Sequence, residues 1–220
     1  EAQGRWCRWP SGFVGSSIAE GTSSIAEGGG GVIRMLNRTG DDAIGETFDK
    51  VAKFIGLPYP GGPQIEKHGN SGRVDRKRFH FAMPQFNEKS ADFSYSGIKA
   101  GAIRLAREHG ISAGGHPQHL ADFCATFQEA LIDQLFDRLD VIWSRLDAPQ
   151  PTEVAVAGGV AANTAVRERL TAWAGKRDVI VRLPEKHFCT DNAAMIAFAA
   201  LQKPEAATDP RRVSARSRVQ

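Results

Sequence analysis

Apolar side chains recur at helical spacing in two stretches. Ile44, Phe48, Val51 and Ile55 share one face of a segment from about Asp42 to Ile55, which predicts an amphipathic helix there. Asp41 or Asp42 is placed to cap it and Gly56 to stop it. Phe123, Phe127, Leu131, Leu135, Leu139 and Ile142 form a longer stripe over about 119–146, the mark of a helix with one buried face. The pattern then shortens. Glu153 to Ala157 and Val179 to Leu183 read as strands, with a Gly158-Gly159 turn and a helix from Asn163 to Trp173 between them. Thr190 or Asp191 opens a last helix reaching about Leu201. Such alternation predicts an α/β layer architecture.

Between these elements the pattern is weaker. Pro58, Pro60, Gly61, Gly62 and Pro63 predict a stiff, turn-rich loop. Residues 64–92 are polar and carry no assignable element. Asp92 to Lys99 reads as a strand or turn leading into a helix near 97–108. Val32 to Leu36 suggests a short strand. Residues 1–31 are rich in Gly and Ser and hold two copies of Ser-Ser-Ile-Ala-Glu-Gly, at Ser16 and Ser23. No apolar face persists through them, so they are expected to be a flexible leader. The basic segment 203–220 is expected to be disordered.

The chain's 220 residues are 41% hydrophobic and 24% charged, a globular balance with room for a real core. No apolar run reaches the ~20 residues of a membrane span, and the start does not read as a secretory signal. Cys7, Cys124 and Cys189 are odd in number and far apart, which suits a reducing cytoplasm better than a disulfide framework. A net charge of +3 does not describe a DNA-coating protein, yet it permits local contact with a nucleic acid.

Candidate chemistry lies where strands meet helices. At Gly158 and Gly159, the backbone can approach a ligand and the next helix can offer N–H groups to phosphate or ribose. Asn163 either caps that helix or bonds the ligand. Asp191 either binds a metal or caps the last helix. Asp49 sits on the polar side of its helix four residues before Lys53, the ordinary setting of a solvated ion pair. His116 and His119 are three apart at a helix start, a spacing more common on surfaces than in metal sites. Arg73, Arg76, Lys77 and Arg78 form a short basic run that is solvated or meets phosphates. The sequence has no HExxH and no Walker-type phosphate loop, and neither a nucleophile constellation nor a zinc-peptidase helix is visible, so a protease reading has no support.

Five blocks in order carry a resemblance: Asp41 to Lys53 (DDAIGETFDKVAK), Tyr59 to Pro63 (YPGGP), Asp92 to Lys99 (DFSYSGIK), Ala157 to Asn163 (AGGVAAN) and Cys189 to Ala197 (CTDNAAMIA). Together they resemble the tRNA N6-adenosine threonylcarbamoyltransferase family, formerly labelled glycoproteases, over about 35–201. The resemblance implies an actin/Hsp70/sugar-kinase-like (ASKHA) two-lobe α/β fold. Residues 32–202 would be its C-terminal lobe, joined to an unrelated leader at 1–31, with the N-terminal lobe largely missing. It implies transfer of a threonylcarbamoyl group from threonylcarbamoyl-AMP to the exocyclic amine of the adenosine beside the anticodon, in tRNAs reading codons that start with A. Asp49, Gly62 and Asn163 match the family's adenylate contacts, Gly158 and Gly159 its nucleotide loop, and Asp191 its metal ligand. The implied cofactor is one iron or zinc, but the HxxxH pair that supplies two further ligands does not occur in this sequence. The implied partners are tRNA and accessory proteins of the same machinery, in the cytoplasm and without a membrane. A non-catalytic, nucleotide-binding partner lobe is the alternative.

Overall fold

The computed structural model describes residues 13–19, 22–29, 32–83, 92–147 and 150–201. The expected disorder of 203–220 lies outside them. Two compact units divide the chain, Glu1–Cys189 and Thr190–Gln220.

The first unit contains a five-stranded sheet in the order β3-β2-β1-β4-β5. Its strands are β1 (Phe13–Ala19), β2 (Thr22–Gly29), β3 (Val32–Arg38), β4 (Glu153–Ala157) and β5 (Ile180–Arg182). The first three form an antiparallel meander, while β4 runs parallel to both β1 and β5. This corrects the flexible leader: residues 13–29 supply two strands, one of them central. The hexapeptide copies face each other, with Ser16 opposite Ile25 and Ile18 opposite Ser23. Local composition conceals this because Ser- and Gly-rich strands are stabilised by their ladder partners, and one partner of β1 lies far along the chain, in β4.

Among the described residues, four helices lie between β3 and β4: α1 (Ile44–Phe54), α2 (Gly61–Gly69), α3 (Ser96–Glu108) and α4 (Pro117–Trp143). A fifth, α5 (Thr164–Gly175), joins β4 to β5. The expected stripe of α4 is buried except for half-buried Leu135. Phe123 and Phe127 are fully enclosed and pack edge-on against Phe79 (5.4 Å) and Phe48 (5.8 Å), respectively. Burying such rings stabilises the layer by roughly 1.5–3 kcal/mol each.

The rigid loop expected at 58–63 is half a loop. Gly61, Gly62 and Pro63 are the first turn of α2, entered through a cis Tyr59-Pro60 bond. Proline is tolerated there because first-turn N–H groups have no intrahelical acceptor to lose.

The second unit begins with Thr190 and contains α6 (Ala193–Leu201). Neither Thr190 nor Asp191 caps it. Asn192 does, its Oδ1 accepting the Met195 N–H at 2.9 Å. Among the described residues, no helix is long and apolar enough to cross a membrane.

Candidate functional site

The N-terminus of α1 is held from outside the helix. Ala43 occupies the cap position without a side-chain bond, so the expected Asp41 or Asp42 cap does not form. Instead Asp41 accepts the Ser94 hydroxyl (2.6 Å), the Tyr95 N–H (2.9 Å) and the Ser96 hydroxyl (2.5 Å). Asp42 pairs with Lys50 and with Lys99. Burial pushes both carboxyls up, but these hydrogen bonds and the two lysines outweigh it and hold them below the ordinary range. The 41–53 and 92–99 blocks thus form one clamp that fixes the start of α1.

Asp49, half-buried on α1, does not turn to Lys53. Its Oδ1 accepts the N–H of Gly61, the first residue of α2, at 2.6 Å. The two helices meet closely here: a Cβ on Gly61 would stand 2.6 Å from the Ala52 Cβ and 2.7 Å from the Asp49 Cα. Only glycine fits. On Gly62, an added Cβ would meet Phe48 Cβ of α1 at 4.0 Å, an ordinary van der Waals contact, so a methyl is tolerated there.

The rest of the candidate site follows β4. Gly158 adopts φ +92°, a left-handed conformation natural to glycine. It turns the chain into a short 3₁₀ segment, Gly159–Ala162, and then into α5. Gly45 of α1 lies against this segment, where a Cβ added to it would stand 3.6 Å from Val160 Cγ2. Asn163 is the N-cap of α5: its Oδ1 accepts the Val166 N–H at 3.1 Å, and its Nδ2 donates to Gln128 Oε1 of α4 at 2.8 Å. Glu66 on α2 reaches the same helix end, its Oε1 accepting the Thr164 N–H at 2.8 Å. A carboxylate and an amide thus hold two of the N–H groups at this helix N-terminus.

Asp49, Gly62 and Asn163 are thereby linked through α2. Asp49 bonds its first residue, Gly62 is its second, and Glu66 bonds the residue after Asn163. Gly62 and Glu66 share a face, about 6 Å apart along the axis. Sequence reading missed Gly61, Glu66 and Gln128. Treating 61–69 as helix would have placed Glu66 one turn after Gly62. Asp191 belongs to the second unit and is exposed.

Neither described cysteine is set up as a nucleophile. Burial pushes the Cys124 thiol up to about 12, leaving it protonated and inert at neutral pH. Cys189 is also buried and accepts a hydrogen bond from Arg167. His116 and His119 stack with ring centroids 4.4 Å apart. Among the described residues, no three His, Cys, Asp or Glu side chains gather as a metal centre would require.

A family model of the TsaD type, described as tRNA N6-adenosine threonylcarbamoyltransferase, matches residues 18–198. The chain belongs to this family. The match begins inside the segment 1–31, which was expected to be unlike it. Proteins named tRNA N6-adenosine threonylcarbamoyltransferase are similar to the chain in Methylocapsa acidiphila (43% identical, covering 83% of this chain and 51% of the relative), a Bradyrhizobium species (44%, 83% and 50%) and Methylorubrum extorquens (43%, 83% and 52%). The chain spans about half the length of these relatives.

Proposed function

We propose that this chain supplies one wall of an adenylate pocket in tRNA threonylcarbamoyladenosine modification, as the C-terminal lobe of an ASKHA-type fold. The group transferred is the threonylcarbamoyl unit of threonylcarbamoyl-AMP, and the acceptor is the exocyclic amine of the adenosine beside the anticodon. The amine nitrogen attacks the carbamoyl carbon, the bond to the phosphate oxygen breaks, AMP leaves and the amine gives up a proton. The observation that carries this reading is the pair of hydrogen bonds Asp49–Gly61 and Glu66–Thr164, which gather Asp49, Gly62 and Asn163 around one short helix.

The chemistry of that wall favours the ribose end of the adenylate. An ionised carboxylate only accepts hydrogen bonds. Asp49 spends Oδ1 on Gly61, which leaves Oδ2 to accept a ribose hydroxyl. Gly62, half-buried and without a side chain, leaves its backbone for the nucleoside to lie against. Asn163 holds the α5 end of the wall rather than offering a free amide, because both ends of its amide are engaged. Two acidic groups beside the pocket disfavour placing the phosphate between them.

The family's metal, iron or zinc, is not accommodated by the residues described. Asp191 alone is one carboxylate where a catalytic centre has about three protein ligands, so no step is derived through it.

Calorimetric titration of AMP into the full chain tests the pocket. Wild type binds weakly and Asp49→Ala reduces affinity about tenfold or more, as loss of a charge-assisted hydrogen bond requires. Equal affinity would reject the assignment. A transfer assay with tRNA and threonylcarbamoyl-AMP separates an active transferase from a non-catalytic partner lobe, since robust turnover by this chain alone excludes the latter.

A further inference from the structure

The loop between α2 and α3 carries Arg73, Arg76, Lys77 and Arg78, and it is pinned in place. The Arg73 N–H donates to Asp122 of α4 (2.8 Å) and the Asp75 N–H to Thr126 (2.9 Å). Asp75 Oδ1 in turn accepts the N–H groups of Lys77 (3.2 Å) and Arg78 (3.0 Å). The cations that follow are thus presented from a fixed backbone. Arg76 is spent inside the protein, bridging Asp133 at 2.7 Å and Glu129 at 3.6 Å. Arg73 and Lys77 are exposed and form no ion pair among the described residues. Arg78 lies over the Phe79 ring at 5.1 Å.

The start of α4 adds to this face, with His116 and His119 stacked there. Desolvation, then the positive charges of Arg78, His116 and His109, hold the His119 imidazole below its ordinary value, against the pull of Asp122. Arg73, Lys77 and Arg78 stand close together on a protein of net charge +3, a local concentration of positive charge rather than a general one.

We propose that Arg73, Lys77, Arg78 and the His116–His119 pair form a docking face for the phosphate backbone of a folded RNA. Cations carried on a pinned backbone neutralise phosphates without ordering of the chain that bears them, and imidazole planes accept unstacked bases. The position suits the pocket. From Gly62 to Asn70, where this loop begins, is about 12 Å along α2, the rise of three to four stacked nucleotides at ~3.4 Å each. A backbone held on the loop would therefore flank a base presented at Gly62. This inference rests on the tRNA reading and assigns it a surface.

The test is the affinity of the full chain for unmodified tRNA as a function of salt. Lys176, exposed just after α5, provides a control. Its neighbour Arg177 pairs with Asp140, which lies about 27 Å along α4 from Asp122. Arg73→Glu/Lys77→Glu is expected to weaken tRNA binding at least about tenfold near 0.1 M salt and to lower the salt slope by about two. Arg73→Ala/Lys77→Ala should show a smaller loss, and Lys176→Glu a change within about twofold. Unchanged tRNA affinity in the double charge reversal, or an equal loss in Lys176→Glu, overturns the proposal. So does equal competition by duplex DNA of the same length. AMP binding separates the two readings. If AMP binds normally while the reversal leaves tRNA affinity intact, the surface alone fails. If AMP never binds but the reversal abolishes tRNA affinity, the surface stands and the pocket fails.

Discussion

Gly61 and Gly62 are neighbours with opposite duties. The first is buried where α1 and α2 touch, and a methyl group there would overlap backbone and the Ala52 side chain. Gly61→Ala is expected to destabilise the protein by about 1–3 kcal/mol, the usual cost of overpacking, read as a lower urea midpoint at unchanged slope. Gly62→Ala meets nothing closer than 4.0 Å, so its stability should stay within about 0.5 kcal/mol of wild type. Its AMP affinity should fall if the nucleoside lies against the backbone of this residue. Normal AMP binding by Gly62→Ala would remove Gly62 from the pocket. Asn163 calls for a different substitution. Asn163→Ala removes a helix cap, at about 1–2 kcal/mol, and leaves the buried Gln128 oxygen without its partner. Asn163→Ser keeps a capping oxygen and should recover much of that loss in thermal unfolding. A ligand effect at this position is interpretable only in the variant that still caps.

At the scale of elements, the clamp of Asp41 and Asp42 makes an acid prediction. Both carboxyls are held below the ordinary value of 3.8 in the folded protein. A depressed folded pKa contributes stability above the unfolded pKa, and that contribution is lost as pH falls through the folded one. Stability should therefore be steady at neutral pH and decline below about pH 4. Asp41→Asn should be less stable at pH 7 and show a shallower decline into acid; a parallel decline in both proteins would mean that the Ser94–Tyr95–Ser96 contacts do not matter. The clamp was not legible in the sequence, because its halves are some fifty residues apart and each reads locally as a helix cap. What was legible was periodic. The stripe of α4, the α1 face and the β4 strand all announce themselves within one element. The first turn of α2 was hidden by its Pro and Gly content, which signals a turn equally well. Strands β1 and β2 were hidden because Ser and Gly say little until their partners are known. The candidate site follows the same division: Asp49, Gly62 and Asn163 came from a motif resemblance, whereas Glu66 and Gly61 appear only once α2 is seen as a helix.

For the molecule as a whole, the described site residues divide between two compact units. Asp49, Gly62, Gly158, Gly159 and Asn163 belong to the first and Asp191 to the second. Within the first, the linkage through α2 is continuous, so the proposed nucleotide binding is tested on this chain by itself. Metal binding differs in kind. A transition metal needs about three protein ligands. Asp191 is exposed, and among the described residues no three ligating side chains converge. The His116–His119 pair cannot substitute alone, since two imidazoles without a third donor leave the coordination open. The purified chain is therefore expected to carry well under one iron or zinc per molecule by elemental analysis, and chelation should leave both its unfolding midpoint and its AMP affinity unchanged. Tight one-to-one metal would show that a ligand set exists beyond those described. A chelator-induced loss of stability would show further that the set forms part of the fold, because a metal that binds only the native state adds its binding free energy to folding.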